Sequence, residues 1–196
     1  MRKSFLFLLL TLLVTLPVLA QTPAAPVFEI TPVNSQIKFG VNASVSIQGT
    51  FDKWTASLTF GSTDVTSGKL DIKIEAASVD TGSGMKNDKL KSKDFFNADK
   101  DPYITFNSTK IIQTGANTFE VDGDFTIRGV TRQEKLVLTV EGKGTGSGTI
   151  SGTMAFDRKE YGMNSGIPFI KIADRVEVTV LLKGKRVSGP PLVFKQ

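Results

Sequence analysis

From Val27 onward the chain alternates apolar and polar residues with a period of two. Leu70, Ile72 and Ile74 interleave with Asp71, Lys73 and Glu75. Successive side chains of a strand point to opposite faces, so this spacing predicts a β-strand with one dry side and one wet side. The same parity runs through Ile37, Phe39 and Val41, and through Phe119, Val121, Phe125 and Ile127 against Glu120, Asp122, Asp124 and Arg128. It recurs in Leu136, Leu138 and Val140, in Ile150, Met154 and Phe156, and in Val176, Val178, Val180 and Leu182. About eight to ten such segments follow one another at the spacing of a sandwich or barrel. The turns between them, Gly61-Ser62, Asp64, Gly115-Ala116-Asn117 and Gly142-Lys143-Gly144, are too brief to hold crossover helices, which predicts an antiparallel sheet. Gly123, Gly129, Gly152 and Gly162 lie within or beside strands, where glycine weakens pairing unless the chain must bend, and barrel closure supplies that need.

One stretch breaks the rhythm. Gly84 to Phe96, GMKNDKLKSKDFF, has no alternation and is rich in Lys and Asp. It predicts a short helical segment near one end of the sheet, with Ser92 or Asp94 capping a second turn. It is either a plain connection or a lid.

The ends are also distinctive. Arg2 and Lys3, the apolar run Phe5 to Leu16 and the small-residue pattern Val18-Leu19-Ala20 read as a signal peptide over residues 1–20, cleaved near Ala20. Read instead as a membrane anchor, that run is short of the roughly 20 apolar residues a spanning helix needs, and Pro17 interrupts it. Residues 21–26 form a flexible lead, 27–188 the β-domain and 189–196 a C-terminal tail, and the expected location is the periplasm or the exterior.

Composition narrows the chemistry. With neither Cys nor His, the chain lacks the soft-metal ligands and the commonest general base, so no metal, haem or thiol chemistry is expected. The formal charge of +5 includes Arg2 and Lys3, and the remaining +3 is too mild and too mixed in sign to argue for nucleic acid. Asp122 and Asp124 share an outward face, with nothing to perturb them as catalytic carboxylates need. Asp99-Lys100-Asp101 lacks the further ligands of a calcium loop and reads as a turn before Pro102. No catalytic residue and no cofactor is expected.

Four stretches, in order, resemble the YceI-like family: VDTGSGMKNDKLKSKDFFNADKDPYITFNSTKI (Val79–Ile111), FTIRGVTR (Phe125–Arg132), FDRKEYGM (Phe156–Met163) and ADRVEVTV (Ala173–Val180). The similarity spans Val27 to Arg186. It implies an all-β, antiparallel, eight-stranded lipocalin-like barrel in a bacterial periplasmic carrier or sequestering protein, whose hydrophobic cavity takes a polyisoprenoid, an isoprenoid quinone, a fatty-acid-like lipid or another long-chain amphiphile without catalysis. Members often carry a His in the second strand. Here the matching stretch is VNASVSIQG, with Asn42 in its approximate place.

On that reading Phe39, Val41, Phe51, Phe60, Phe106 and Phe119 would line the tube with Phe125, Met154, Phe156, Tyr161 and Met163. Leu90, Phe95 and Phe96 would border the entrance, and Trp54 would plug one end. Asn42, Arg128 and Arg158 would meet a polar head group, with Lys86, Lys89, Lys91, Lys93 and Arg132 adding charge near it. An eight-stranded barrel can equally fill with its own side chains. In that case the chain is a packed β-domain that works through protein–protein contact at a sheet edge. Both readings leave pairing into a homodimer open.

Overall fold

A computed structural model describes residues 25–44, 46–166 and 171–195. The expected signal peptide and most of the lead lie outside the described residues. Ten strands form one antiparallel sheet: β1 (Val27–Ala43), β2 (Ile47–Phe51), β3 (Trp54–Phe60), β4 (Gly68–Glu75), β5 (Val79–Asp80), β6 (Tyr103–Gln113), β7 (Thr118–Ile127), β8 (Val130–Glu141), β9 (Ser147–Asp157) and β10 (Ile172–Ser188). Their order is β3-β4-β6-β7-β8-β9-β10-β1-β2-β5. The one α-helix among the described residues, α1 (Gly84–Lys91), leads through a tight turn to Phe96. Among the described residues no helix is long and apolar enough to cross a membrane.

The ten strands become eight when two bends are followed through. β2 and β3 are one hairpin arm bent at Asp52-Lys53, and β4 and β5 are the facing arm bent at Ala76–Ser78. Two backbone bonds carry the pairing across the bend, from Asp52 N–H to the Ser78 carbonyl (3.1 Å) and from Glu75 N–H to the Lys53 carbonyl (2.9 Å). The sheet then curls back on itself, because β1 bonds β10 along one edge and β2 along the other, with Phe39 opposite Val178 and Gly49. The far half of β1 has no ladder to β3. Side chains span that seam, the rings of Phe28 and Phe60 lying 5.5 Å apart.

Alternation sets what faces in. Leu70, Ile72 and Ile74 are buried, as are Val121, Phe125, Leu136, Leu138 and Leu182, while the charged residues between them face water. Gly129 and Gly162 adopt the left-handed conformation that glycine tolerates best, at φ 71° and 75°. Gly123 and Gly152 have a different use. A Cβ on Gly123 would stand 2.6 Å from the Phe106 ring, and one on Gly152 only 2.5 Å from Leu138 and 2.6 Å from Val180. Both glycines make room for large neighbours at mid-height, so the centre of the barrel is packed solid.

Candidate functional site

The packed centre leaves two separate apolar cavities, one at each end, with no lining residue in common. The first lies at the α1 end and holds ≈ 80 Å³ of space open to water centres. Each water needs about 10–15 Å³ of such space, so the cavity could admit a handful of waters, yet an apolar lining keeps such a space dry. It is a slot rather than the continuous tube expected for a long chain. Phe106, Val121, Leu136 and Met154 are buried and line neither cavity.

Aromatic rings form two of its walls. Phe39, Phe51 and Phe96 make one cluster, with centroids 5.6, 6.3 and 6.0 Å apart. Phe39 lies flat across β2 because Gly49 has no side chain, and a Cβ there would stand 2.6 Å from the ring. Opposite, Phe125 and Phe156 pack at 5.1 Å and both lie edgewise to Tyr161. Tyr161 is fully buried, and its hydroxyl donates to Glu134 at 2.7 Å. Burial first, then that hydrogen bond, push its pKa well above the usual tyrosine range.

α1 roofs the slot with Lys86, Lys89 and Leu90, and the following turn adds Phe95 and Phe96. Lys89 bonds Asp94 at 2.6 Å and lies 5.8 Å from the centre of the Phe95 ring. The Lys89 ammonium accordingly holds the Asp94 carboxyl below its ordinary value.

Arg158 is the buried one of the slot's three charged lining groups, only 6 % exposed. Its guanidinium donates to the carbonyls of Ala173 (3.1 Å), Ser165 (3.1 Å) and Met163, and to the Asp174 carboxylate at 3.1 Å. Lys159 also bonds Asp174 at 2.8 Å, and this ammonium holds the carboxyl low. Arg128, in the left-handed conformation (φ 56°) at the β7–β8 hairpin, donates to the carbonyls of Gly162 (2.7 Å) and Lys93 (2.9 Å). It thereby clasps the turn after α1 to the turn after β9. Both arginines, expected to meet a head group, direct these donors to protein oxygens around the mouth, main-chain carbonyls in every case but Asp174.

Of the residues expected along the tube or its entrance, Phe39, Val41, Phe51, Leu90, Phe95, Phe96, Phe125, Phe156 and Met163 converge on this slot. Phe60 lines the second cavity instead. Phe119 also belongs to that end, its ring 6.1 Å from Phe194. Trp54 lies opposite Ile74, partly buried, and lines neither cavity, so it packs the bend of the sheet rather than plugging an end. Asn42 is exposed, because it follows the inward Val41 and alternation turns it outward. Arg132 reaches across the surface to the Glu160 carbonyl, and Lys91 and Lys93 do not line the slot. Reading by residue type missed much of the wall. Ile47, Ile74, Ile104 and Ile127 line it, as do Val176 and Val178. For most of these the signal was present, since they share the parity of the phenylalanines chosen.

Among the described residues no group of three His, Cys, Asp or Glu side chains is placed to hold a metal ion.

Residues 28–183 match the family model described as the YceI-like domain. A UPF0312 protein of Vibrio parahaemolyticus is 28% identical over 150 residues, covering 76% of this chain and 77% of that one. A UPF0312 protein of Pseudomonas savastanoi is 33% identical over 98 residues, and there the match spans about half of each chain (50% and 51%). Among solved structures, BcnA of Burkholderia cenocepacia superposes with a TM-score of 0.72 at 27% identity, covering 79% of this chain and 99% of that one. A polyisoprenoid binding domain from Saccharophagus degradans superposes at 0.66 with 16% identity, covering 82% and 99%, and shows likeness of fold.

Proposed function

The chain belongs to the YceI-like domain family, and on that premise we propose that it is an exported, non-catalytic carrier that holds the chain of a lipid in the slot beneath α1. The observation that carries this reading is the lining: hydrocarbon throughout the interior, with Lys86, Lys89 and Arg158 as the charged groups at its wall. Such a site selects for apolar length and shape. Each buried methylene contributes about 0.8 kcal/mol, so ten of them contribute about 8 kcal/mol toward offsetting the costs of association and ordering, without any specific hydrogen bond.

A polyisoprenoid or isoprenoid quinone fits this chemistry, and the polyisoprenoid binding domain of like fold supports the choice. Its terminal units would occupy the slot. Lys86 and Lys89 would face an anionic head group from the roof. In this reading residues 1–20 direct export and the working protein begins near Gln21.

Native mass spectrometry of protein purified from an exporting bacterial host, before and after addition of an isoprenoid quinone, tests the proposal. One lipid per chain, lost in Val178→Phe, is expected, together with a mass lacking the leader. Lipid-free protein that takes up no quinone, with a protein partner in fixed ratio, would favour the packed-domain reading.

A further inference from the structure

The second cavity, at the end remote from α1, holds ≈ 110 Å³ of space open to water centres. Phe28, Ile30, Leu58, Phe60, Val140 and Ile150 form its apolar wall. Leu192 and Phe194 close it from outside, and both are partly buried against the core. The segment bearing them returns across the end of the barrel after β10. Val193 N–H donates to the Thr63 carbonyl at 2.8 Å, and Val65 N–H to the Val193 carbonyl at 3.3 Å, making a single parallel bridge between Val193 and Asp64. The Gln113 side-chain amide takes Lys195 at both ends, donating to its carbonyl (2.8 Å) and accepting from its N–H (2.7 Å). Four hydrogen bonds and the Leu192 and Phe194 side chains, with no ladder behind them, hold a cover that can lift without unfolding the barrel.

The rim is cationic. Lys143 lies 4.8 Å from the centre of the Phe194 ring, its ammonium bonded to the Ala116 carbonyl. Arg186 also borders the cavity and donates to the Gly189 carbonyl at 2.9 Å. Against these two cations Glu141 is the one acidic residue of the lining.

We propose that this chamber is a separate binding site for a medium-length alkyl carboxylate, with its chain inside, its head group between Lys143 and Arg186, and Pro191–Phe194 as its removable cover. The solid layer at mid-height makes the site independent of the slot beneath α1.

Calorimetry and native mass spectrometry of the full chain with decanoate, and with decanol as the uncharged control, test this. One decanoate held in this chamber per chain is expected, counted apart from any taken up by the slot. Lys143→Glu combined with Arg186→Glu should weaken it at least about tenfold while leaving decanol unchanged. Val140→Phe, which fills the chamber, should abolish it, whereas Val178→Phe in the slot should not. Phe194→Ala should speed association. No decanoate binding, binding lost in Val178→Phe but kept in Val140→Phe, or indifference to charge reversal would each overturn the site. An unchanged association rate in Phe194→Ala would overturn the cover. Should Val140→Phe fail to fold, the surface charge reversals decide alone. Uptake of quinone in the slot is scored separately, so either site can fail without the other.

Discussion

Replacing Arg158 with methionine should destabilise the protein by about 3 kcal/mol, and the reason is its carbonyl partners more than its ion pair. Methionine keeps an unbranched stem along the slot but removes the donors that serve the carbonyls of Ala173, Ser165 and Met163. A buried acceptor left without a partner costs about 1–3 kcal/mol. The three lie close to the mouth, where water can serve some of them, and removing a buried guanidinium recovers part of its desolvation cost. A net loss of about 3 kcal/mol follows. The Asp174 carboxylate is 39% exposed and already shared with Lys159, so solvent screens its pairing with Arg158 and that pairing contributes little. Urea unfolding followed by circular dichroism and by the fluorescence of Trp54, the single tryptophan, measures both changes. With a slope of about 2 kcal/mol per M, the Arg158→Met midpoint should fall by about 1.5 M and the Asp174→Asn midpoint by much less. Equal losses in the two variants would refute the reasoning, because the ion pair rather than the carbonyl cage would then hold the mouth.

Three further outcomes are expected. Gly152→Ala should cost about 1–3 kcal/mol, read from the same urea curves, since its methyl meets Leu138 and Val180 at 2.5 and 2.6 Å; an unaltered midpoint would show the barrel centre to be looser than described. Arg128→Asn keeps a residue that tolerates the left-handed turn but removes the bonds to Gly162 and Lys93, so amide exchange across Gly84–Phe96 should accelerate with little change in global stability. Stability should be flat between about pH 5 and 8, because the chain has no histidine, and should fall below about pH 4. The sign follows from Asp94 and Asp174, lowered in the fold by lysine partners. Their stabilising effect is complete above the unfolded value near 3.9 and is lost as pH drops through the folded values. A melting temperature that shifts between pH 6 and 7 would sink this account.

Alternation alone determined that Leu70, Ile72 and Ile74 face a common interior, that neighbouring strands run antiparallel through short turns, and that Gly84–Phe96 stands apart as a helical segment. It also carried much of the slot, since Phe39, Phe125, Phe156, Val176 and Val178 follow one parity along their strands. Parity held even where the family pattern pointed elsewhere, as at Asn42, which an inward Val41 turns outward. These are short-range facts, set by the geometry of one pleated strand.

Tertiary structure decided what the interior contains. Whether a barrel is hollow depends on which residues meet across strands far apart in sequence, and no local pattern reports that register. Gly123 beneath the Phe106 ring, and Gly152 beside Leu138 and Val180, divide the bore into two chambers. The burial of Arg158, the clasp made by Arg128 and the return of Leu192–Phe194 over the far end likewise depend on contacts between distant segments. Each resolves a polar or apolar group that the local sequence leaves without a partner, and only closure of the sheet brings that partner within reach.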